Sequence, residues 1–228
     1  MANDRLAFHA VRGTLLMLIS VGAVLALSSG TLGWPEGWAF LATYSLCVMA
    51  MIAYLLRVDP ALVERRMHSG PAAEREPRQK LIQTVTMGTF LAQLVVPGLD
   101  HRYGWSHMPL AVICLGHALI IAGFAGILRV FRENAFASSI IEVGAGQRVI
   151  DTGPYAIVRH PMYAVALPGI FAGIPLALGS WWALALVVPI TVAIVARLLD
   201  EERFLTANLP GYADYCRRLR WRLVPGVW

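Results

Sequence analysis

MYAVALPGIFAGIPLALGSWWALALVVPITVAIVA, residues 162–196, contains no charged side chain. A helix rises about 1.5 Å per residue and needs about 20 residues to cross about 30 Å of hydrocarbon, so this run is too long for one span. Gly179 and Ser180 interrupt it near its middle. It reads as a tight hairpin of two membrane-crossing helices, roughly 162–178 and 181–199. A hairpin returns the chain to the side it left. Whatever stands just before residue 162 must then share a depth with whatever follows residue 196.

Composition supports a membrane setting. Apolar residues make up 57% of the 228, charged residues only 14%, and mean hydropathy is +0.61. Soluble chains carry about a quarter charged residues. Four earlier apolar runs, roughly 12–32, 38–57, 81–99 and 108–130, complete a set of six. The first is longer than the core of a signal peptide, so it is expected to stay as a span. The fold expected is an all-α integral membrane protein of about six transmembrane helices. It has a tight C-terminal helical hairpin and a cytoplasmic C-terminal segment closing a pocket. It forms one membrane domain, with residues 1–80 an N-terminal transmembrane hairpin and cytoplasmic loop, and 81–228 the functional core.

Charge sets the orientation. The net charge is +5, almost all of it from arginine, and Lys80 is the sole lysine. With six spans and both termini inside, every basic residue except Arg102 falls on the inner side, which is the bias that cytoplasmic loops show. This distribution argues for a bilayer partner and against nucleic acid. GWPEGW (33–38) and DHRYGWSH (100–107) read as outer connections with interfacial aromatics. Residues 58–80 read as a solvated inner loop with a short surface helix. Cys47, Cys114 and Cys216 are far apart and show no metal-ligand spacing, so no metal site is expected.

Two polar clusters bracket the hairpin. Upstream is GPYAIVRHPMYA, residues 153–164. Gly153 and Pro154 mark a turn, and Pro161 suits the first turn of a helix. Arg159, His160 and the unpaired N–H groups of that helix start could hold an anion, although a topology charge and a capping histidine would look alike. Downstream is RLLDEERFL, residues 197–205. Arg197 and Glu201, four apart, share a helix face, while Glu202 points about 100° away. One carboxylate can then face a pocket while the other pairs elsewhere. Alone, this stretch could be a snorkelling arginine and a solvated acidic turn. Together the clusters surround one inner-leaflet cavity with a cation, an imidazole, Tyr155, Tyr163 and two carboxylates. Ionisable groups at such depth are functional candidates.

S-adenosylmethionine carries both charge signs and a flat ring, and suits that set. Its amino group needs a carboxylate and its carboxylate needs a cation or helix start. Its sulfonium tolerates tyrosine faces. A phosphate-rich dinucleotide would want more cations and fewer acids, although Arg148, Arg159 and Arg197 keep it open.

GPYAIVRHPMY, RLLDEERFL and PGYADYCRRLRWRLVP resemble the isoprenylcysteine carboxyl methyltransferase family, most closely its prokaryotic branch. DPALVERR, GLDHRYGWSHMP and ENAFASSIIEVGAGQRVIDTGPY extend the resemblance from about residue 58 to the C-terminus. Phospholipid methyltransferases share the RHPxY and EE elements, and membrane sterol reductases have a related C-terminal architecture. The resemblance implies an S-adenosylmethionine-dependent transferase with a cytoplasmic pocket, in a bacterial inner membrane. Cofactor contacts carried over fall on Gln147, Arg148, Val149, Ile150, Tyr155, His160, Pro161, Met162, Tyr163 and Glu201, beside Arg159, which the helix start itself suggests as an anion contact. Glu142, in the strand-like IIEV, adjoins a family contact where glutamine is usual. Arg197 maps to an arginine implicated in substrate handling. Asn134 and Ser138 fit the branch's NxFxS pattern. Prenylated protein cysteines are the eukaryotic substrate; here a lipidic or small apolar acceptor is expected, with oxygen, nitrogen or sulfur as nucleophile. Arg197 would fix an acceptor carboxylate, and Glu202 or His160 would be the base if one is needed. A membrane reductase using NADPH is the alternative enzyme, and a non-enzymatic membrane partner or transporter is the third reading.

Overall fold

The structure is a computed structural model. It describes residues 2–228 apart from 68, 69, 71, 73, 75, 138, 139 and 145, with the side chains of residues 2 and 3 left aside. Regular structure among the described residues is helical. The order is α1 Ala2–Ser29, α2 Pro35–Val58, α3 Pro60–Met67, α4 Pro77–Tyr103, α5 Leu110–Glu133, α6 Pro161–Ala166, α7 Gly173–Ala177, α8 Trp181–Leu184, α9 Val187–Asn208 and α10 Tyr212–Arg218. The strand-like IIEV is irregular backbone.

Five described helical stretches are long and apolar enough to cross a membrane: Asp4–Ser29, Pro35–Val58, Pro77–Tyr103, Leu110–Glu133 and Trp181–Asn208. The sixth expected span is the shorter helix Pro161–Ala177. It widens into a π turn over Leu167–Ala172 between α6 and α7. Pro168 lies in that turn and has no N–H to donate, so the regular hydrogen-bond ladder is interrupted there. The hairpin turn falls where expected. Gly179 takes a φ of 74°, and Ser180 Oγ accepts from the N–H of Ala183 at 3.1 Å, capping α8. The first helix begins at Ala2, well before the apolar run at 12, because Ala, Leu and Arg in ANDRLAFHAVR continue it.

Close packing locks the shorter helix to α5. A Cβ on Gly123 would lie 2.9 Å from the Cα of Gly169, and one on Gly116 would lie 2.3 Å from the N of Ala177. In lipid no hydrophobic drive pulls helices together, so small residues that let backbones approach supply the contact.

The two ends of the bundle differ. At one, Trp34 stacks on His101 with centroids 5.1 Å apart. Asp100, only 2% exposed, accepts from Ser106 N and Oγ at 2.6 Å and from Ser180 Oγ at 2.5 Å. DHRYGWSH is thus more than an interfacial anchor: Asp100 ties α4 to the hairpin turn. At the other end lie α3, the start of α4, the described residues of 134–163, the end of α9, α10 and the C-terminal segment. Here the expectation of a solvated loop over 58–80 needs correction. Leu62 and Val63 are buried with Ala10, Leu55, Phe131 and Ala137, and Glu74 is 5% exposed. Apolar neighbours and an ion pair draw this segment onto the bundle.

Candidate functional site

A cavity opens at this second end. It is walled by the irregular segment after α5, the turn before α6, the last turns of α9, and α10. Glu142, Gln147, Arg148, Val149, Ile150, Tyr155, Arg159, His160, Pro161, Met162, Tyr163, Arg197 and Glu201 all line it. Asn134 lines it too, whereas Ser138 lies outside the described residues. Residues before and after the hairpin therefore meet at one depth.

The upstream wall is built on a pinned turn. Gly153 adopts a φ of 56°, which L side chains rarely take. Thr152 Oγ1 donates to Glu133 Oε1 at 2.5 Å, anchoring the turn to the end of α5. Tyr155 then bridges three segments. Its hydroxyl accepts from Asn134 Nδ2 at 2.9 Å, and its carbonyl accepts from the Tyr215 hydroxyl at 2.7 Å. Burial pushes its phenol up to about 12. Farther on, the N–H groups of Arg159 and His160 donate to the carbonyls of Trp221 and Arg222 at 2.8 and 3.0 Å. The C-terminal segment thus runs against the turn like a strap.

The acidic pair divides as the helical period requires. Glu201 faces the cavity, where the Tyr163 hydroxyl donates to its Oε2 at 3.3 Å. Glu202 is not among the lining residues. Its Oε1 lies 3.2 Å from both Arg159 NH1 and His160 Nε2, and its Oε2 lies 3.0 Å from Arg222 Nε. Arg222 also sits over the Trp228 ring at 5.0 Å. Glu202 is thus the hub that fastens turn, helix and strap. A carboxylate held by two guanidinium groups is a poor proton acceptor.

Arg197 lines the cavity with its guanidinium already engaged. Its Nε donates to the Tyr163 hydroxyl at 3.2 Å, and NH1 donates to Glu74 at 2.7 Å and Gln79 at 3.0 Å. Sequence reasoning missed Glu74 and Gln79, because a mixed-charge stretch carries no sign of which charges turn inward. It also missed Leu205, Leu209, Tyr212 and Tyr215 as wall residues. The three-residue spacing of the tyrosines, on one face of α10, was an available signal.

Two polar atoms at the cavity are buried without a hydrogen-bond partner among the described residues: Tyr212 OH and Arg159 Nε. Buried polar groups are normally paired. Tyr163 is the only described donor to Glu201. This donor set matches a zwitterion: a carboxylate with spare acceptor capacity, an idle phenol and guanidinium nitrogen, and apolar walls from Val149, Ile150, Leu205 and Leu209.

The chain matches known proteins through this same region. Residues 111–210 match the family model for phospholipid methyltransferase. Over 103 residues the chain is 28% identical to the nickel-cobalt-cadmium resistance protein NccN of Alcaligenes xylosoxydans xylosoxydans, covering 44% of this chain and 47% of that protein. Over 105 residues it is 29% identical to the cobalt-zinc-cadmium resistance protein CzcN of Cupriavidus metallidurans, covering 44% and 46%. The chain thus spans about half the length of these curated relatives. The resemblance to membrane methyltransferases is borne out over a segment running from α5 to the end of α9, which carries most of the cavity wall.

Proposed function

We propose that the protein is an integral membrane methyltransferase that uses S-adenosylmethionine to methylate a lipid-soluble acceptor. One observation carries this reading: Glu201, Tyr155, Tyr163, Arg159 and His160 line a single cavity within the segment that matches a methyltransferase family. The residues fit the cofactor. Glu201 would hold its amino group. Arg159 and the backbone at the start of α6 would hold its carboxylate. Val149, Ile150 and Leu209 would cover the adenine. When bound, the cofactor supplies a methyl group on a positively charged sulfur, already activated for transfer. The protein's task is then positioning and electrostatics. Tyr163, held between Arg197 and Glu201, orients the cavity floor. Glu202, bound by Arg159, His160 and Arg222, keeps the strap closed and leaves proton acceptance, where an acceptor needs it, to another group.

The test is calorimetric. S-adenosylmethionine and NADPH are titrated separately into purified protein. Wild type binds the first, and Glu201→Gln weakens that binding by about tenfold or more, as expected for loss of one charge-assisted hydrogen bond. Binding of NADPH without S-adenosylmethionine would overturn the reading.

A further inference from the structure

Arg66 is a part-buried cation with no ion-pair partner among the described residues, and it stands beside the candidate site. Its NH1 is shut off from solvent and has no hydrogen-bond partner among the described residues. None of the ion pairs among the described residues includes it. The Phe131 ring lies under it, 4.6 Å from its guanidinium carbon. Arg197, by contrast, is already taken up by Glu74, Gln79 and Tyr163. Burial lowers the affinity of Arg66 for its proton, and Tyr163, Tyr155 and Arg197 are all near enough to act on its charge. A guanidinium nitrogen left buried and unpaired disfavours the folded state, and such features persist where a ligand completes them.

Its surroundings define the ligand. Phe131, under the guanidinium, belongs to an apolar cluster with Leu62, Val63 and Ala137, against which Met162 packs. Ala137 and Met162 also line the cavity. The apolar patch beneath Arg66 is therefore continuous with the cavity wall. From this juxtaposition we propose that Arg66 is the specificity residue for the acceptor, and binds a single anionic group, carboxylate or phosphate, carried on an apolar chain. This deepens the methyltransferase reading and rests on it for the word acceptor; the anion site itself does not require it. Arg197 then serves to position Tyr163, and the acceptor's charge falls to Arg66.

The experiment uses the full-length protein in nanodiscs of neutral phosphatidylcholine, with empty nanodiscs subtracted. Laurate, dodecyl phosphate and uncharged methyl laurate are the probes. Wild type binds at least one anionic probe saturably, one per chain, and methyl laurate at least tenfold more weakly. The tighter anion separates a free carboxylate from a phosphate headgroup as the natural source. Arg66→Gln loses tenfold or more for the anions, and Arg66→Lys retains part of it. S-adenosylmethionine affinity stays within twofold in both variants. Because Arg66 has no ion-pair partner among the described residues, Arg66→Gln unfolds at or above the wild-type temperature, whereas a structural arginine would be missed. The proposal is overturned if wild type binds neither anion, if Arg66→Gln binds them as tightly as wild type, or if that variant melts several degrees lower. Should the anion bind through Arg66 while wild type ignores S-adenosylmethionine, the methyltransferase reading fails and the anion site stands.

Discussion

Glu201 and Glu202 are adjacent in sequence and do opposite work. The first turns toward the cavity and has one described donor, Tyr163. The second is surrounded by Arg159, His160 and Arg222. That division was legible, because successive side chains on a helix diverge by about 100°. The partner Arg222 was not: it comes from a strap whose return over His160 is set by backbone hydrogen bonds between distant segments. Tyr155 allows a sharper test at this scale. Its phenol is pushed up to about 12 by burial, and burial raises Tyr212 and Tyr215 as well. A phenol raised in the folded state loses its proton first in the unfolded chain. Its contribution is fully present below about pH 10 and is lost as pH rises through about 12. Thermal unfolding in detergent should therefore weaken steeply between these values. Tyr155→Phe should shallow that alkaline limb while leaving the other two phenols to titrate. An unchanged limb would mean Tyr155 is not shielded from water.

At the scale of elements, the cavity depends on how the interrupted helix α6–α7 sits on α5. The tight turn was legible from Gly179 and Ser180, since few other residues could reverse so apolar a run so quickly. The π turn was not, although Pro168 marks it, because a proline predicts an interruption without saying how the neighbours repair it. Nor was the docking of α3. Leu62 and Val63 are adjacent apolar residues in a polar stretch, a pattern that reads equally well as a surface helix. Gly169 is the position where the packing can be probed. A Cβ there would come within 2.5 Å of the Cα of Gly123, so two backbones, and not a flexible side chain, would have to part. Gly169→Ala should cost about 1–3 kcal/mol of stability. It should also weaken S-adenosylmethionine binding, because His160 and Tyr163 ride on the displaced helix. Chemical unfolding and titration of the same preparation would check both, and an unaltered melt would show that α5 and α6 can separate freely.

On the scale of the whole molecule, charge and chemistry are segregated. Arg197, Glu201, Glu202, Arg159 and the strap gather at one end. Asp100, Ser106, Ser180 and the Trp34–His101 stack brace the other. Five long apolar helices and the shorter Pro161–Ala177 follow the pattern of six runs visible in the sequence, and the shortness of the last reflects its prolines and π turn. Among the described residues, basic side chains concentrate at the cavity end, and Arg102 lies at the other. If the bias of cytoplasmic loops governs insertion, the cavity faces the cytoplasm. Lys80 and Arg102, both exposed, report on the two ends. In a background with Cys47, Cys114 and Cys216 changed to serine, Arg102→Cys should react with a membrane-impermeant maleimide on intact cells. Lys80→Cys should react only after the membrane is opened. The reverse pattern would place the cavity outside, away from the cytoplasmic pool of S-adenosylmethionine, and would remove the setting in which a methyl-transfer reaction could run.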